Sequence, residues 1–543
     1  MRPRLTAPLF ALAFGVALGR PAPARADKPF ELWPPSNGAK AAPFAKAAPS
    51  LPDQGQDWRF DGGTAVAVSV DAGRVLGSVT PWQFGCNTAW WDGKGWFNDP
   101  DRTEKAKQAG LRFWRWPGGS SSDNFIWDGD YSRHPKDKDG GDNANMNRDW
   151  AVSSQDFIAF CRRTGSEAVV TVNYAIARTA GVPYAADLAA RWVRWFNVEQ
   201  GFKVRYWEIG NEVYGPWEEG NKIDGQPQLT GDVYARDLRV IAAAMRKEDP
   251  DICIGAVGID ADDGQDWTGY HWWMRGLLGE LKGRADFLIL HQYFQWPFDS
   301  ANNYTSPGDD ALLGNLHKVA DARRAVDAMA AKYAGDRPAL PVALTEFNIL
   351  NCSCNPSINL INGLYTCEVL GEALDAGYVA SNFWDWKNGL DAKLKGDDAL
   401  IADGDPAVPN GTPRPAYYAY VLYERAFGDH LLQASASDPA VKVYASRFSG
   451  GQLGLVVVNE DKSPRRLDFS LAGFRPSGRL AAWLLQGKGL ELPQASFNGA
   501  PGPDGGGGPW PIAALAPYRV DFDPSRPLRL GLPPFAAAGL VLY

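Results

Sequence analysis

Two glutamates carry the most pointed chemistry in this chain: Glu212, in VRYWEIGNEVYG, and Glu346, in PVALTEFN. Each closes an apolar, β-rich run, where a carboxylate is disfavoured unless it is paired or protonated. Two carboxyls facing each other across a cleft are what glycoside hydrolysis requires: one attacks the anomeric carbon, and the other protonates the leaving oxygen and then serves as base toward water. One must be ionised while its partner holds a proton. Arg115 and Tyr293 are placed to keep Glu346 ionised through charge and hydrogen bonding. Glu212, flanked in sequence by Trp207 and Tyr214, is expected to have its proton affinity raised by burial and by the neighbouring negative charge. Asn211 supplies an amide able to donate to the sugar hydroxyl beside the anomeric carbon. Taken singly, each glutamate reads as a rim salt bridge with a nearby arginine; the pair, with Asn211 beside one of them, favours hydrolysis.

Other residues around this pair invite roles of their own. His291 is read as positioning the catalytic groups, and no metal is expected, because no second histidine or carboxylate lies at ligand spacing from it. No cofactor is implied. Strand alternation is expected to send Trp384 and Trp386 to one side and Asp385 to the other, with one of the two tryptophans a sugar platform. Trp90 and Trp91 are further platform candidates. Glu208, read as facing the other side of its strand, is expected to pack toward helices. The glycines of RWPGG read as a tight turn that brings a loop to the cleft.

Eight β-rich runs would position these groups, spanning 82–88, 111–116, 168–174, 204–211, 252–258, 286–293, 341–348 and 377–386. Segments of helical spacing separate them. Strands alternating with helices predict a parallel sheet, and eight units of this length close most economically into a (β/α)8 barrel over 77–428; a doubly wound open sheet is the second choice. Asn87, Arg115, Asn173, Glu212, His291, Glu346 and Asp385 all fall at C-terminal strand ends, the rim where barrel enzymes gather catalytic groups. Beyond 428, alternating runs between Gly, Pro and Asp turns predict a β-sandwich over 429–543, with strands in 61–76 pairing to it.

A net charge of −8 with interspersed signs offers no basic patch, which argues against nucleic acid or anionic lipid as partners and leaves oligomeric state open. Residues 1–26 read as a signal peptide and 27–60 as a Pro/Ala-rich linker, so the protein is expected to be secreted or periplasmic, with no membrane segment after cleavage. Six cysteines fit that setting. Of these, Cys352, Cys354 and Cys367 cluster, and a bridge to Cys367 is favoured over zinc, for which the spacing is poor.

The series RWPGG (115–119), TVNY (171–174), YWEIGNE (206–212), HQYF (291–294), TEFN (345–348) and PRPAYYAYVLYERAFGDHLL (413–432) resembles the retaining glycoside hydrolases with (β/α)8 barrels, and within them the α-L-arabinofuranosidases of glycoside hydrolase family 51. The resemblance implies Glu212 as acid/base, Glu346 as nucleophile, Asn211 and Asn173 as substrate-binding or organising groups, and a carbohydrate substrate with net retention. The chain departs from that family's pattern after Asn173, at Phe347 and in the cysteine loop. Endo-β-glucanase, β-xylosidase and β-glucuronidase activities would use the same two glutamates, and a non-catalytic carbohydrate-binding protein is the alternative class.

Overall fold

The computed structural model describes residues 44–52, 55–129, 148–261, 272–295, 297–298, 303–305, 307–335 and 340–543. The expected signal peptide (1–26) and the first part of the expected linker lie outside the described residues. No helix among the described residues is long and apolar enough to cross a membrane.

Eight parallel strands close into a barrel: Gly85–Asn87, Phe113–Trp116, Glu167–Val172, Tyr206–Ile209, Cys253–Val257, Phe287–Gln292, Val342–Phe347 and Ser381–Phe383, the last pairing back to the first. Nearly every strand residue is buried, as continuous apolar runs covered on both faces must be. Between strands, amphipathic helices such as Val182–Arg194 and Gly231–Glu248 turn their apolar sides to the barrel. Trp192, for example, packs edge-on against Trp207 of the fourth strand. The helix Ser154–Thr164 starts at a Ser153/Asp156 capping box and stops at Gly165 in the left-handed region.

Two local irregularities matter for the rim. On the seventh strand Leu344 pairs with Leu290 and Glu346 with His291, so Thr345 is an extra residue opposite the sixth strand. Against the eighth strand too the register slips by one, with Thr345 and Glu346 opposite Asn382 between the Ser381–Leu344 and Phe383–Phe347 pairs. This bulge re-aims Glu346, and Asn87 Nδ2 holds it by donating to the Thr345 carbonyl at 3.0 Å. The fourth strand ends at Ile209; Gly210 (φ +83°) and Glu212 (φ +42°) then take left-handed backbone, an uncommon conformation for a non-glycine residue.

Outside the barrel, the strand Thr64–Ser78 pairs antiparallel with His430–Ala436 and parallel with Arg465–Ala472, joining the C-terminal strands in one ladder. This ladder wraps a second apolar core that includes Val66, Val68, Leu455, Leu467, Leu530 and Leu540, giving a β-sandwich. The other side of its Leu453–Asn459, Arg479–Gly487 and Ala536–Leu542 strands joins the barrel's own core through Val456, Trp483 and Val541.

The structure corrects two sequence expectations. The eighth strand stops at Phe383 rather than running to 386, so alternation does not govern positions 384–386: Trp384 is half-buried at the rim, whereas Trp386 is fully buried against Trp96 and Trp114. The disulfide joins Cys352 to Cys354, and Cys367 is a buried free thiol. Cys367 lies within the helix Leu360–Ala376, whose packing buries it.

Candidate active site

A cleft of roughly 410 Å³ opens at the C-terminal rim, lined by Gly119, Ser120, Asn211, Glu212, Trp217, Tyr293, Glu346, Asn351 and Trp384. Beneath it lies a buried polar network centred on Arg115, itself 1 % exposed. Its Nε donates to Glu208 at 2.6 Å, its Nη1 to Asn87 at 3.0 Å and Glu346 at 3.2 Å, and its Nη2 to Asn211 at 2.7 Å. Thr171 Oγ1 also donates to Glu208, at 2.9 Å. Glu208 therefore faces the barrel interior and not the helices. The outward side of that strand is taken by Trp207.

Glu346 is gripped on both oxygens: Tyr293 Oη donates to Oε1 at 2.5 Å and Arg115 to Oε2. Glu212 accepts from Trp217 Nε1 at 3.0 Å and lies 2.8 Å from His291 Nδ1. His291 also reaches to 3.6 Å from Glu346. One oxygen of each glutamate and a nitrogen of His291 lie within 4.8 Å of one another. That convergence of three ligand-type groups is invisible in sequence spacing, so the ground on which a metal was excluded does not hold in space. Arg115 already supplies a cation against Glu346, and both carboxylates have hydrogen-bond donors.

The charge balance runs opposite to the sequence expectation. Burial works to raise the Glu212 carboxyl, but the His291 hydrogen bond and charge, with Trp217 and Arg115, outweigh it and leave Glu212 below the usual range. Burial raises Glu346, and the Glu212 charge adds to this against His291, Arg115 and Tyr293. The surroundings thus push the two carboxyls apart, Glu212 down and Glu346 up.

Of the residues singled out from sequence, Asn211, Glu212, Tyr293, Glu346 and Trp384 line the cleft, with Arg115 and His291 bonded to its carboxylates. Two do not line it. Trp386 is in the core, and Asn173 lies behind the rim, its Nδ2 donating to the Phe125 carbonyl and its Oδ1 accepting from the Ile176 amide. Trp217 and Glu218 were missed, although the GPWEEG run (215–220), which begins three residues after Glu212, places them within reach. Glu218 is buried; its Oε1 accepts from Ser120 Oγ at 2.7 Å and from Asn211 Nδ2 at 3.0 Å. Burial, then the charges of Glu212 and Asp123, push its carboxyl well above the ordinary value. Asn211 is thus fixed from three sides, by Arg115, by Glu218 and by Asp123, which accepts from its backbone amide at 2.8 Å.

A parallel eight-stranded barrel with a C-terminal sandwich defines the class of fold: a (β/α)8 barrel with two carboxyls at its C-terminal strand ends. No family model matches the chain. Among curated proteins it is 28 % identical over 211 residues to the intracellular exo-α-(1→5)-L-arabinofuranosidase of Streptomyces lividans, covering 36 % of this chain and 30 % of the relative. It is 25 % identical over 225 residues to the enzyme of the same name from Acetivibrio thermocellus, covering 39 % and 42 %. The chain spans less than half the length of these relatives. Among solved structures, α-L-arabinofuranosidase from Thermotoga maritima superposes with a TM-score of 0.64 at 18 % identity, covering 88 % of this chain and 99 % of the other. A family 51 α-L-arabinofuranosidase from Bifidobacterium longum gives 0.65 at 16 %, covering 89 % and 100 %. A family 44 xyloglucanase from Paenibacillus polymyxa shares the fold at 0.61 and 14 %, covering 88 % and 100 %. The resemblance to family 51 and the barrel-plus-sandwich fold are borne out. The expected secreted or periplasmic location is corrected: relatives from five bacteria carry names that state an intracellular enzyme.

Proposed function

We propose that this protein is a retaining glycoside hydrolase that releases α-L-arabinofuranosyl units, with Glu346 as nucleophile and Glu212 as acid/base. The observation that carries the proposal is the closeness of the two carboxyls across the rim, with oxygens within 4.8 Å. Inverting enzymes separate theirs by about 6.5–9.5 Å to admit a water, whereas retaining ones keep them about 5–5.5 Å apart. The names of the curated relatives support the choice of sugar.

In the first step a Glu346 oxygen bonds to the anomeric carbon while the bond to the leaving oxygen breaks, and that oxygen takes the Glu212 proton. In the second, Glu212 removes a proton from water, whose oxygen displaces Glu346 and restores both groups. Tyr293 and Arg115 orient Glu346 for in-line attack and take up its changing charge. Glu212 stands on the open side of the site with Trp217, where a leaving group exits. The first step needs the proton on Glu212, against the direction in which the surroundings push the two carboxyls.

The deciding test is hydrolysis of p-nitrophenyl α-L-arabinofuranoside, β-D-xyloside, β-D-glucoside and β-D-glucuronide by the wild type and by Glu346→Gln. Turnover of the arabinofuranoside that Glu346→Gln abolishes is the expected result. Turnover of another glycoside instead would overturn the sugar, and activity surviving in the variant would overturn the nucleophile.

A further inference from the structure

Four tryptophans run from the cleft outward along the rim. Trp384 lines the cleft with both glutamates. Its ring centroid lies 6.3 Å from that of Trp91, which lies 5.7 Å from Trp90, which in turn lies 5.7 Å from Trp150. Exposure rises outward: the first three are half-buried and Trp150 is 47 % exposed. Folding ordinarily hides so large an apolar surface.

The row is held in place by its own framework. Trp90 Nε1 donates to Ser121 Oγ at 2.9 Å, which satisfies its polar edge. Three backbone bonds pin three segments of the rim together: Trp90 N–H to the Pro117 carbonyl at 2.9 Å, Val152 N–H to the Trp90 carbonyl at 2.8 Å and Lys94 N–H to the Trp150 carbonyl at 2.8 Å. The RWPGG turn makes room for the inner rings. A Cβ on Gly119 would stand 2.7 Å from Trp384, and one on Gly118 3.1 Å from Trp91 and 2.6 Å from Ala89. The rings are therefore positioned before any ligand arrives, which lowers the ordering cost of binding.

We infer that this row is a binding track for the main chain of a soluble, neutral polysaccharide, so that the cleft works on a polymer held along it. The inference rests on the hydrolase reading above and adds the substrate class. Indole faces take the apolar faces of sugar rings and leave the hydroxyl edges to water. Trp90 stands at 88° to Trp91 and at 39° to Trp150. Rings set edge-to-face and tilted in this way do not form the coplanar platform that the flat surface of a crystalline glycan needs, so the track is assigned to a single soluble chain.

The experiment compares wild type with Trp150→Ala on soluble arabinoxylan and on p-nitrophenyl α-L-arabinofuranoside, alongside migration in native gels containing arabinoxylan. The expected result is that the ratio of polymer to aryl-glycoside kcat/KM falls about tenfold in the variant, and that the gel retardation of the wild type is lost. A ratio and a retardation both unchanged to within about twofold would show that Trp150 only packs. If the wild type turns over neither substrate, the hydrolase reading falls. Retardation of the wild type but not of the variant would then still support the track, and equal migration would overturn it.

Discussion

His291 stands 2.8 Å from Glu212 and 3.6 Å from Glu346, so one ring acts on both carboxyls. It favours the ionised form of each. A bell-shaped kcat/KM profile is expected, rising as the pair loses its first proton and falling as it loses the second. Without the imidazole each carboxyl needs a higher pH to ionise, so in His291→Ala both limbs should move upward. A downward or absent shift in the profile would remove His291 from the charge balance. Glu218 makes a complementary case. Its carboxyl is raised in the folded state, so its contribution to stability is greatest below the unfolded value and is lost as pH rises toward the folded one. Glu218→Gln, neutral at every pH, should therefore decline less in melting temperature between pH 5 and pH 9 than the wild type. Glu218→Ala should instead cost about 1–3 kcal/mol by leaving the buried Asn211 amide without this acceptor, measured by denaturant unfolding; parallel pH profiles for wild type and Gln variant would contradict a protonated Glu218.

At the level of elements, the placement of Glu212 depends on Gly210. A Cβ there would lie 2.7 Å from Val213 Cγ1 and 2.9 Å from Tyr174 Cβ, on backbone with φ +83°. Gly210→Ala should cost about 1–3 kcal/mol and lower kcat by displacing Glu212, read by unfolding and by aryl-glycoside kinetics. Unchanged stability and rate together would refute this dependence. The same turn explains what sequence could tell. The eight strands were legible because buried parallel strands are continuous apolar runs, and Glu212 and Glu346 because charge at their ends breaks the pattern. The orientation of Glu208 was misread against the strand's own period: it lies four positions before Glu212, so alternation puts both on one face, the inward one where Glu208 meets Arg115 and Thr171. Trp386 was misassigned because the eighth strand ends at Phe383, so alternation does not extend to it. The Thr345 bulge, and with it the pairing of His291 with Glu346, depends on register against two neighbouring strands that no single run of residues reveals.

Across the whole molecule, the helix Pro415–Ala426 binds barrel and sandwich into one cooperative body. Residues from Ala416 to Tyr423 are entirely buried. Tyr420 Oη donates to the Gly85 carbonyl of the first barrel strand, and Tyr418 Oη to the Pro509 carbonyl on the sandwich side. Gly454 and Gly539 allow the sheet to touch this helix: a Cβ on either would lie 2.3 Å from the Ala426 carbonyl oxygen or 2.7 Å from its Cβ, respectively. Thr64–Ser78, which precedes the barrel, pairs with strands C-terminal to it, so the sandwich closes only after the whole chain is present. Calorimetry should therefore record a single unfolding transition, because separating the parts would uncover the apolar face that each turns to the other. A chain ending at residue 428 would expose the apolar face of this helix and should aggregate. Two resolved transitions, or a soluble folded barrel from the shortened chain, would mean that the rim holds its geometry without the sandwich, and the reason for the long N-terminal strand would have to be sought elsewhere.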